Sequence, residues 1–145
     1  MRHIAQELRI GNLIFIDQLV SGIRMPNTTK SFAVGSIDKF GHAYIIEPTE
    51  PTISLSSNEY SAIPITKEWL LRLGWRHYQG KPDGDLTKDC SRSNIDLDWD
   101  SGGGIKIKTH YQGIDDYRPL PHITYIHQLQ DLYYFLEGKE LELNH

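Results

Sequence analysis

The longest helical pattern in the chain lies at residues 123–141, ITYIHQLQDLYYFLEGKEL, and it constrains the fold more than any other stretch. Leu129, Leu132, Tyr133 and Leu136 recur at i, i+3, i+4 and i+7, which puts them on one face of an α-helix predicted over 127–137. Gly138 stands where a left-handed residue ends a helix, and the charge of Lys139 suits the negative end of the helix dipole. Three turns are too few to hold in water alone. The helix therefore needs a sheet for its leucine and tyrosine face, and Phe135, between its two faces, is expected to widen the core.

The chain supplies strands. Residues 8–16, LRIGNLIFI, are rich in β-branched and aromatic side chains, with a turn or bulge expected at Gly11-Asn12 just before a buried strand. Residues 20–25 continue or pair with it, and Pro26 to Thr29 reads as a loop. Two antiparallel strands, 31–37 and 43–46, flank a turn at Asp38 to Gly41, and 52–56 alternates apolar with hydroxyl residues. Several short strands within residues 1–60 fit a small, strongly bent sheet of the SH3-like kind.

The middle of the chain spells a short helix with both of its stops, within 63–74. Thr66 is the N-cap, Glu68 lies in the first turn, Ile65 can staple onto Leu70, and Gly74 closes the end, so the helix runs over 67–73. Between 75 and 126 further strands are expected, at 75–78, 94–99, 105–111 and just before the last helix. A polar, Gly- and Pro-containing stretch near 80–93 reads as a mobile loop. The expected fold class is α+β: a bent antiparallel sheet with an SH3-like N-terminal part, one short central helix, and a C-terminal helix packed on the sheet.

For 145 residues, 39% of them hydrophobic, a single domain over 1–145 is the default. No apolar run approaches the roughly 20 residues of a membrane span, and the start lacks the apolar segment of a signal peptide, so no membrane and a cytoplasmic location are expected. The net charge of −4 has the wrong sign for a protein living on phosphate backbones, which makes nucleic acid an unfavoured partner.

Three blocks carry a resemblance: RIGNLI at 9–14, IPITKEWLLRLGW at 63–75, and YIHQLQDLYYFLEGKEL at 125–141. In their order they resemble a family of small uncharacterised proteins encoded by gut anaerobes, their phages and their mobile elements. The resemblance implies a phage or mobile-element setting, in the host cytoplasm or on the virion, and it brings no catalytic residue with it. Each block reads as structural: a turn, a capped helix, a packed face.

Candidate sites are few. His127, Gln130, Asp131 and Tyr134 also follow helical spacing, beside the leucine face. This polar stripe is either a solvated face or a partner-binding surface, and in the second case substituting Gln130 and Tyr134 is expected to remove binding without unfolding the chain. Asp96, Asp98 and Asp100 alternate on one strand face without the glycine and final acid of a calcium loop, so a solvated face is the better reading. His110, His122 and His127 lack a fixed metal-ligand spacing, and no metal or cofactor is assigned to them or to the chain. Gly102 to Gly104 have no following Lys-Ser or Lys-Thr and read as a hairpin tip. Cys90, between Lys88 and Arg92, is the sole cysteine and has no locatable base. The expected function is a non-catalytic binding or interaction protein, with a protein partner or self-association. Its alternatives are a protein that sequesters a small nucleotide and an SH3-like nucleic-acid module.

Overall fold

Antiparallel sheet with two helices makes up the fold, an α+β architecture. The computed structural model describes residues 8–39, 42–45, 53–56, 59–77, 86–90, 93–98, 104–111 and 114–143. The chain divides into two compact units, Met1–Pro64 with Tyr125–Asp131, and Ile65–Thr124 with Leu132–His145.

The first unit is a five-stranded antiparallel sheet. Its strands β1 (Leu13–Val20), β2 (Ile23–Ile37), β3 (Ala43–Ile45), β4 (Ile53–Leu55) and β5 (Tyr60–Ala62) are ordered β4-β3-β2-β1-β5. Ile14, Val34, Ala43, Ile45, Leu55 and Tyr60 form its core, with Leu8, Ile16, Phe32 and Ile37 packed around them. Leu13, Ile14 and Phe15 are buried in succession, the mark of a strand covered on both faces.

Residues 26–29, expected as a loop, lie inside β2. Phe15 pairs with Ser31 and Asp17 with Pro26, so four residues of β2 stand against one of β1. A wide bulge absorbs the turn-forming residues without ending the strand, and Pro26 removes one ladder donor there. The turn after β2 closes on Asp38, which accepts from the His42 backbone N–H (3.0 Å) and the Tyr44 hydroxyl (3.1 Å). Phe40 and Gly41 of that expected turn lie outside the described residues.

The second unit opens with helix α1 (Lys67–Arg72). The Thr66 hydroxyl accepts from the Trp69 N–H at 3.3 Å, as expected of the N-cap. At the other end Gly74 has φ of +96°, with its N–H donating to the Leu71 carbonyl (3.2 Å) and that of Trp75 to Leu70 (2.9 Å). These two bonds are a Schellman closure, and glycine meets its left-handed requirement without strain.

Five antiparallel strands follow: β6 (Arg76–His77), β7 (Leu86–Asp89), β8 (Ser93–Asp98), β9 (Gly104–Tyr111) and β10 (Ile114–Pro119), ordered β10-β9-β8-β7-β6. Strand β7 corrects the expected loop near 80–93. Leu86 and Thr87 are buried and their backbones pair with Leu97 and Asp96 of β8, so burial and strand pairing outweigh the polar composition around them. Residues 78–85 lie outside the described residues. Strand β10, unforeseen in the sequence, pairs with β9 along its whole length.

Helix α2 (Ile126–Glu137) begins one residue before the expected start and closes on Gly138 (φ +70°), whose N–H donates to the Tyr134 carbonyl at 2.8 Å. Where a strand was expected before it, only an isolated bridge between Tyr125 and Pro64 forms. Its residues through Asp131 belong to the first unit and those from Leu132 to the second. Ile126, Leu129 and Tyr133 are buried, whereas Phe135 is 85% exposed and adds nothing to a core. Among the described residues no helix is long and apolar enough to cross a membrane.

Candidate functional site

The RIGN block is a turn built for a helix to grip. The Asn12 N–H donates to the Arg9 carbonyl (3.0 Å), closing a four-residue turn whose third residue, Gly11, has φ of +93°. A left-handed third position is the type II pattern, which favours glycine. Asn12 is fully buried, and its side-chain oxygen accepts from the Arg9 N–H at 2.6 Å. Gly11 and Asn12 are also strapped to Val34 of β2 by two backbone bonds of 2.8 and 2.9 Å.

Gln130 of α2 completes this edge. Its Oε1 accepts from the Leu13 N–H (2.8 Å) and its Nε2 donates to the Gly11 carbonyl (3.2 Å). One carboxamide thus serves the two backbone groups that a neighbouring strand would serve. Asp131 Oδ1 accepts from Asn12 Nδ2 (3.0 Å) and from Arg9 Nε (2.9 Å).

The expectation that the polar stripe faces solvent is corrected here, because His127 and Gln130 are buried. Gln130 has both ends of its amide committed to the chain itself, so replacing it cannot leave folding untouched. Asp131 is half-buried in its pair with Arg9, and His127 stacks on the Tyr125 ring at 5.9 Å between centroids. Of the four residues, only Tyr134 is exposed. Periodicity could not have shown this, since a polar face bonded to a turn more than 110 residues away reads the same as one bonded to water.

The other candidates are not gathered into a site. Asp96 accepts a hydrogen bond from the Thr87 hydroxyl and sits opposite Lys106 in the ladder, and among the described residues no three His, Cys, Asp or Glu side chains cluster for a metal. Asp100, Gly102 and Gly103 and the side chains of Asp98 and His110 lie outside the described residues, while His122 is exposed. The Cys90 thiol is pushed up to about 12, by burial first and then by the Glu137 carboxylate, which leaves it neutral rather than nucleophilic.

Two features went unnoticed in the sequence. One is a cavity of about 320 Å³ in the second unit, lined by Leu73, Lys88, Tyr133, Leu141 and the charged residues Lys139, Glu140 and Glu142. Lys88 reaches over the rings of Trp75 (5.4 Å) and Tyr133 (5.5 Å), and burial pulls its ammonium below the ordinary lysine range, with Lys139 acting in the same direction. Burial likewise raises the Tyr133 phenol.

The other is the end of the β1–β2 hairpin. From Gln18 to Pro26 every residue is exposed, including Leu19 (68%), Val20 (44%), Ile23 (67%) and Met25 (43%). β5 pairs with β1 only at Ile14 to Ile16 and β3 with β2 only at Val34 to Ile37, so among the described residues neither edge of this arm has a strand partner. Val20 stands opposite Ile23 and Gln18 opposite Met25, which places three apolar side chains together on one face. The turn between them, Ser21-Gly22, has φ of +52° and +80°. Two left-handed central residues are the I′ pattern that suits the twist of a hairpin.

Compared with known proteins, the chain matches no family model, no curated protein and no solved structure.

Proposed function

We propose that this chain is a non-catalytic interaction protein that engages a protein partner through the β1–β2 arm. The observation that carries this reading is the run of nine consecutive exposed residues with four large apolar side chains, three of them on one face, on an arm whose edges have no strand partner among the described residues. An apolar group held in water by a regular hairpin is the signature of a contact surface. Open edges on the same arm offer backbone bonds to an added strand. Burying each of the three side chains on the shared face, Val20, Ile23 and Met25, is worth on the order of 1 kcal/mol or more, enough for a specific contact once backbone bonds are added.

The neutral thiol of Cys90 supports the non-catalytic part of this reading. We read the first unit as SH3-like, because a meander closed by an antiparallel β1–β5 pair is the strand order such small barrels use. The three sequence blocks support a phage or mobile-element setting. The test is a photo-reactive amino acid placed at Ile23 or, for comparison, at exposed Arg118 of β10, in host cells carrying the element. Discrete adducts from position 23 and none from position 118 are the expected result. No adduct at 23, or the same adducts from both positions, overturns the reading.

A further inference from the structure

Among the described residues, the cavity of the second unit holds a cation with no ion-pair partner. Lys88 stands on β7 with its ammonium over two aromatic faces, and among the described residues it has neither an ion pair nor a hydrogen bond from that group. Ring faces attract a cation, but less strongly than a carboxylate does. Lys139, which lines the same cavity, repels it, and the exposed Asp89 next to it on β7 attracts it less strongly. Glu140 and Glu142 also line the cavity and, like Lys139, are exposed, so water and salt screen all three. Lys88 is half-buried, where a charge acts through a lower dielectric and dominates what the interior attracts. The remaining walls, Leu73, Tyr133 and Leu141, are buried and apolar.

We propose that this cavity binds a small organic anion, with a carboxylate or phosphate group between Lys88 and Lys139 and a ring or aliphatic body against Leu73, Tyr133 and Leu141. Its volume of about 320 Å³ is at the lower end for small-molecule sites, which limits the body to about one ring system with a short substituent. A bound anion supplies an ion-pair partner that Lys88 does not have among the described residues, and the ligand's apolar part covers the walls beside it. This inference is independent of the β1–β2 arm.

Calorimetric titration of the full chain with two matched pairs tests it: AMP against adenosine, and indole-3-acetate against indole-3-acetamide. The pairs separate phosphate from carboxylate as the recognised group. In at least one pair the anion is expected to bind about tenfold or more tightly than its neutral partner. Lys88→Met is expected to erase that preference, and Lys139→Met, at an exposed position where folding is not at stake, to weaken it. The inference is overturned if neither anion binds up to about 5 mM, if both members of each pair bind equally, or if the preference survives in both lysine variants.

Discussion

Gln130 does at one position what a strand does over several. Its amide accepts from Leu13 and donates to Gly11 in a buried setting, so removing it strands two backbone groups. An unmet buried donor or acceptor costs about 1–3 kcal/mol. Gln130→Ala is therefore expected to lower stability by about 2–4 kcal/mol, read as a fall in urea midpoint at constant slope. Asp131→Ala loses bonds to Asn12 and to the partly exposed Arg9, and about 1 kcal/mol is expected from the same measurement. At Cys90 the raised thiol leaves roughly a thousandfold less thiolate at pH 8 than an ordinary cysteine has. The stronger nucleophilicity of a high-pKa thiolate offsets part of that, so alkylation of the native chain should run about 10- to 100-fold slower than that of the unfolded chain. The linkage sign follows. Above the unfolded thiol pKa the unfolded state releases a proton that the folded state keeps, so this group lowers stability as pH rises from about 9 towards 12.

At the scale of elements, the legible parts of the sequence were those with local causes. Thr66 and Gly74 announce both ends of α1 because capping is settled within a few residues, and Gly138 does the same for α2. Gly11 announces the turn before β1 for the same reason. Strands β7 and β10 were hidden because their cause is the neighbouring strand: Leu86 is buried by pairing with β8, and residues 114–119 carry charge on a strand whose register is set by β9. The polar stripe of α2 misled for a related reason, since the sequence displays Gln130 and Asp131 but not the turn that receives them. Two substitutions test the local causes. Thr66→Ala is expected to cost about 1 kcal/mol through the lost cap. Ser21→Asn, putting the residue best suited to the first position of the I′ turn beside Gly22, is expected to raise the melting temperature slightly, by about 0.5 kcal/mol of stability.

For the whole molecule, the polar side chains singled out for recognition are mostly consumed in holding the first unit together, and the proposed recognition rests instead on apolar groups that the fold leaves in water. That division had no trace in composition, because Leu19, Val20, Ile23 and Met25 read as ordinary strand residues until β3 and β5 end short of them and leave them exposed among the described residues. The most direct measurement combines stability with partner retention in one variant, Val20→Thr/Ile23→Thr, which keeps β-branched side chains at two opposed positions of the apolar face. The expected result is an unfolding midpoint within about 0.5 kcal/mol of the native chain, because both positions are exposed, together with loss of the complex formed by the native chain in its host. A variant that unfolds, or one that keeps the complex, would contradict it.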